Sequence, residues 1–182
     1  MVRGIMTLLL GGWLLGTLVV AGVATGNFRM IDLLLNSPSH PVFQKDMAQL
    51  PSGEGRVLLR YLASELNRFY FRAWGGVEVA LGGCLFGCVL WGLQERKLIV
   101  GFSLMLVIVA INVFFLAPEL VEVGRSLDFV PRQPPPAGMA TFARLHAAYS
   151  ILDLIQFLLG LWMAVILVRL QARPGRNPGA NR

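Results

Sequence analysis

The chain has 182 residues, 55% of them hydrophobic and 14% charged, with a mean hydropathy of +0.64, a balance that excludes an ordinary soluble domain. A net charge of +6 would suggest nucleic acid in a soluble protein. Here the basic residues flank apolar runs and nothing resembles a nucleic-acid reading module, so the charge reads as topology and contact with the lipid bilayer, and nucleic acid is excluded as a partner.

The first apolar run, residues 4–26, is "GIMTLLLGGWLLGTLVVAGVATG". Arg3 and the small residues near its end also suit a signal peptide, but the apolar part is longer than a signal's core, so it reads as a retained helix. Residues 27–70 read as a partly helical loop, with "FRMIDLLLN" and then a turn at "NSPSHP". From Glu54 the sequence has helical spacing with no proline, so one long helix is expected to run to Leu93, with Ser52 and Glu54 giving it a cap-friendly, acidic start. Its second half, 71–93, is the second span. "QERK" then turns the chain into a third span at 98–117, closed by Pro118. The proline-rich "VPRQPPPAG" separates it from a fourth span at 145–167, and the polar residues 171–182 read as a disordered tail. Each span is near the ~20 residues that cross ~30 Å of hydrocarbon as a helix. The expectation is an all-α polytopic membrane protein, four transmembrane helices in a bundle within residues 1–170, the second extending beyond the membrane.

Small residues recur at helical spacing: Gly12 and Gly16, Gly22 and Gly26, and a ladder of Gly76, Ala80, Cys84 and Cys88 with Gly83 and Gly87 beside it. They are expected to let helices approach closely. This treats the two cysteines as packing residues, since they form no CxxC or Cys/His metal spacing and no metal is expected. On the long helix, Arg56, Arg60, Arg68 and Arg72 stand at multiples of four. They read either as an anion or headgroup contact or as a solvated face with snorkelling stems.

The polar groups inside the apolar runs are the candidates for function. Glu78 lies in the second span. Asn112 and Glu119 are seven residues apart and are expected to share a face. In the fourth, His146, Tyr149, Ser150, Asp153 and Gln156 advance by three or four, a polar stripe expected to face the bundle interior. Glu119 and His146 are expected at the interface, where Arg72 and Arg144 could pair with Glu119 or Glu78, and Glu78, Asn112, Asp153 and Gln156 deeper. These groups read as a structural hydrogen-bond network, a pocket or an ion path. Ser150, His146 and Asp153 on one helix make no catalytic triad. With only His40 and His146, the facing ligands that a haem wants are missing, so no cofactor is expected.

"AINVFFLAPELVEVGR" (110–125) followed by "FARLHAAYSILDLIQFLLGL" (142–161) resembles the transmembrane-protein-205-like family, a domain of unknown function found in four-helix membrane proteins. The matching positions are Asn112, Pro118, Arg144, Leu145 and His146. Ala147, Tyr149, Asp153 and Glu119 depart from the family's Gly, Ser, Asn and basic residue, which turns a neutral amide network acidic. The resemblance implies four helices and supplies no reaction. From the GxxxG faces and the proline-rich loop, with no catalytic motif, the function expected is a non-enzymatic one: a structural or accessory subunit that meets other membrane subunits or itself. The alternatives are a carrier of a small molecule or ion using the polar intramembrane groups, and a haem or quinone protein. Basic residues in the short flanks (Arg3, Arg96, Lys97, Arg169) place both termini in the cytoplasm, in a bacterial inner membrane.

Overall fold

In the computed structural model, which describes residues 2–172, the four apolar runs are the middles of four longer helical rods. α1 covers Val2–Asn36, a short α2 covers Pro41–Met47, and α3 covers Glu54–Cys88 and ends in a π-turn at Val89–Leu93. α4 covers Arg96–Ile111, a second π-turn spans Asn112–Leu116, α5 covers Ala117–Ser126, and α6 covers Gly138–Ala172. There is no strand among the described residues. All four rods are long and apolar enough to cross a membrane, so this is an integral membrane protein built as an all-α four-helix bundle. Of the tail expected at 171–182, residues 173–182 lie outside the described residues.

The rods differ from the expected spans for local reasons. No proline interrupts α1 after residue 26, so the helix absorbs "FRMIDLLLN" and stops at Ser37-Pro38. At the start of α3, Gly53 is the cap, with φ +85, and no side chain bonds the free N–H groups, so Ser52 does not serve as the cap. Pro118 does not close the third rod. It comes after the π-turn and falls in the first turn of α5, where its missing N–H is no loss, and the rod runs on to Ser126. Between the second and third rods the reversal needs only Gln94, with φ +49, and an extended Glu95.

Around the bundle α1 neighbours α3, α3 neighbours α4, α4 neighbours α6, and α6 returns to α1. The remaining pairs, α1 with α4 and α3 with α6, face each other across the axis. Arg3 donates to the Leu170 carbonyl at 2.6 Å and Gln171 to Thr7 Oγ1 at 3.0 Å. The ends of α1 and α6 therefore meet the Gln94–Glu95 reversal at one end of the bundle, here called the hairpin end. The opposite, loop end carries α2 and the proline-rich segment.

Side-chain packing overturns part of the small-residue reading. Gly76, Ala80, Gly83 and Cys84 are exposed on the outside of the bundle. The inward face of α3 carries Gly75, Glu78, Gly82, Leu85 and Val89 instead. On α1, Gly12 and Gly22 point outward, whereas a Cβ on Gly16 would run into the ring of Trp74. Gly16 is thus what lets α1 and α3 close on each other.

Candidate functional site on the bundle axis

Glu78 is 2% exposed. Trp13 of α1 donates its indole N–H to Glu78 Oε1 at 3.0 Å, and Gln156 of α6 donates its amide N–H to the same oxygen at 2.8 Å. The second bond crosses the α3–α6 diagonal, which puts the carboxyl on the axis of the bundle. Both donors end on Oε1. No lysine, arginine or histidine pairs with Glu78 among the described residues.

Three buried polar atoms near this carboxyl's level have no hydrogen-bond partner: Trp74 Nε1, Asn112 Oδ1 and Gln156 Oε1. Their heights are fixed by the packing register. A Cβ on Gly75 would meet Val113, and one on Gly82 would meet Leu106, which sets Asn112 level with Gly75 and Gly76. Phe71 stacks edge-on against Tyr149 at 5.8 Å, and Gln156 bonds Glu78, which sets Asp153 at that same level. Trp74 and the buried Thr17 stand one helical turn from Glu78 and Trp13 on the same side. The interior thus holds two polar layers. Trp13, Glu78 and Gln156 form the deeper one, and Thr17, Trp74, Asn112 and the half-buried Asp153 form the one nearer the loop end. Tyr149, 9% exposed, lies one turn nearer the loop end than Asp153.

Other expected members of the site lie elsewhere. A π-turn inserts one residue and rotates the helix beyond it by about 100°. It starts at Asn112, so Asn112 is buried while Glu119, seven residues on, is exposed. The stripe on α6 is split as well. Its buried seam is Tyr149, Gln156, Gly160, Met163 and Leu167. His146 and Ser150 flank that seam and are exposed, and the His146 ring lies parallel to Phe142 at 6.0 Å. Neither Arg72 nor Arg144 pairs with Glu119 or Glu78 among the described residues.

The arginines of α3 do not converge on one site. Arg56 pairs with Asp32 of α1 at 2.6 Å. Arg68 holds Glu65 at 2.5 Å and Asp128 at 2.9 Å, which ties α3 to the segment after α5. Arg60 and Arg72 are exposed, with no ion pair among the described residues. An open hollow of about 490 Å³ lies outside the bundle between α2 and the start of α3, lined by Leu35, Met47, Leu50 and Arg56, and joins none of the axial residues.

Sequence reasoning missed Trp13 and Trp74. A buried indole N–H usually finds a polar partner, so a tryptophan in each span near the depth of Glu78 was the available signal. No group of three or more His, Cys, Asp or Glu side chains that could hold a metal exists among the described residues. Comparison with family models, curated proteins and solved structures gave no match.

Proposed function

We propose that the protein is a membrane carrier or binding protein that takes an ion or small molecule into the polar layers around Glu78 from the loop end of the bundle. One observation carries this reading. A carboxyl on the axis is fixed by two N–H donors, and buried polar atoms beside it are left without partners. A network serving packing alone satisfies its members, because a half-satisfied one in hydrocarbon is worse than an apolar core. Asn112 and the half-buried Asp153 both stand in these layers. With both termini cytoplasmic, the loop end faces the other side of a bacterial inner membrane.

Cysteine accessibility tests this. In a background with Cys84 and Cys88 replaced by Ala, a charged thiol reagent should modify Asp153→Cys from the loop side and leave Met163→Cys, in the apolar half, untouched. Equal protection of both would refute a site reached from that end.

The outward ladder of Gly76, Ala80 and Cys84 favours a second reading, an accessory subunit or self-associating protein, since no helix of the bundle covers these positions. Oxidative cross-linking at Cys84 in native membranes should then give one discrete dimer or heterodimer band. Monomer alone would argue against it.

A further inference from the structure

We infer that Glu78 Oε2 and the amide oxygens of Gln156 and Asn112 form the oxygen donor set of a site for a compact monovalent cation, an alkali ion or ammonium. This deepens the carrier reading and rests on it, since the cation has to enter from the loop end.

The donor chemistry points to a cation. Oε1 of Glu78 is already turned toward Trp13 and Gln156, which leaves Oε2 as the free oxygen. Donating its N–H to Oε1 brings the Gln156 amide up to the carboxyl, and the amide's own oxygen has no donor to meet. The Asn112 oxygen, in a residue 1% exposed one layer above, has none either. Two buried amide oxygens without a donor, beside a carboxyl whose Oε2 receives no hydrogen bond, ask for positive charge or donors, and the unsatisfied donor beside them is the Trp74 N–H. Hard cations take carboxylate and carbonyl oxygens of this kind. A water in the cation's remaining shell would accept from Trp74.

The charge sets the valence. Glu78 is the one carboxyl in the deep layer, and no basic side chain balances it. Among the proposed donors Glu78 supplies the single carboxylate, so a monovalent cation leaves that set neutral, whereas a divalent ion would have to draw on Asp153 as well, in hydrocarbon where uncompensated charge costs several kcal/mol. Asp153, half-buried in the upper layer, stands toward the loop end, where an entering cation first needs a counter-charge.

The test uses the full chain in detergent micelles, with Trp91 and Trp162 changed to Phe so that Trp13 and Trp74 report from the site itself. NaCl, KCl and NH4Cl are titrated separately against choline chloride at constant ionic strength, with indole emission and thermal stability as the readouts. At least one of the three should give a saturable change and a rise in Tm that choline does not. In Glu78→Gln, which keeps an oxygen for Trp13 and Gln156, the midpoint should move up by about tenfold or more. Asn112→Ala should weaken the response in the same direction and serves if Glu78→Gln does not fold. Responses indistinguishable from choline, a full response in both variants, or a response to Mg²⁺ or Ca²⁺ alone would each overturn the proposal. Modification of Asp153→Cys from the loop side without any cation response would remove the cation and keep the carrier reading. Protection of Asp153→Cys would remove both.

Discussion

The two halves of the bundle interior are built on opposite principles. Toward the hairpin end Met6, Leu85, Val89, Phe102, Met163 and Leu167 are buried essentially completely, with no polar side chain among them. Toward the loop end the same four rods bury Glu78, Gln156, Asn112 and Thr17. The helices have similar length throughout, so thickness does not explain the difference. From Glu78 to Val89 the axis advances eleven residues, about 16 Å, past buried side chains that offer no oxygen to a passing ion. The apolar half is thus a seal, and the polar half is where the interior holds its oxygen and N–H groups. A continuous channel does not fit this arrangement, and the proposed carrier reading requires only a site loaded from one end.

Moving a carboxyl from one half to the other is the strongest way to break the contrast. Leu85 lies two turns below Glu78 on the same inward face. Leu85→Glu should cost about 3 kcal/mol or more, because no donor waits for it there, and should abolish the folded bundle in a thermal or SDS titration. If Leu85→Glu were tolerated as well as Glu78 is, the apolar half would have to hold water, and the seal would be wrong. The reverse exchange should be milder. Glu78→Leu strands the Trp13 and Gln156 N–H groups and should cost about 1–2 kcal/mol. Trp13 emission should shift as its partner is lost.

The same division separates the features legible in the sequence from those that were not. Hydropathy and the absence of proline were enough for four spans and for a helix reaching from Glu54 to Leu93. Of the four polar groups expected deep, Glu78, Asn112 and Gln156 are buried in the bundle and Asp153 is half-buried. Rotation was not readable. Glu119 shares a face with Asn112 on an ideal helix, and only the π-turn between them, which no local residue announces, turns it outward. The exposure of His146 and Ser150 depends on which seam α6 presents to its neighbours, a tertiary fact. The small-residue ladder on α3 went the wrong way for a similar reason. Two small-residue faces compete on that helix, and Gly75 and Gly82 with Glu78 took the interior.

Glycine substitutions would sharpen the contrast between a rigid and a compliant half. A methyl group on Gly16 meets the indole of Trp74, in the polar half, where moving the ring disturbs the layers. A methyl on Gly101 meets the thioether of Met163, in the apolar half, which is flexible and can step aside. Gly16→Ala should therefore destabilise by about 1–3 kcal/mol and Gly101→Ala by less than about 1 kcal/mol. Equal costs on thermal unfolding would mean that the two halves pack alike.

The smallest effects belong to the ion pairs at the loop end, and they still rank in a definite order. Arg68 and Asp128 have side chains only 11% and 14% exposed, and Arg68 also holds Glu65, which receives Arg125 at 3.7 Å. Removing it with Arg68→Ala leaves two carboxylates facing each other in a partly dry setting, and about 1–2 kcal/mol should be lost. Arg56 and Asp32 are 45% and 63% exposed. Water and salt screen that pair, so Arg56→Ala should change stability by less than about 0.5 kcal/mol. The salt dependence separates the two more cleanly than the totals. Raising NaCl from low to high concentration should erase whatever Arg56 contributes and leave most of the Arg68 effect, because the Arg68 cluster, not the exposed arginines of α3, fastens α3 to the segment after α5.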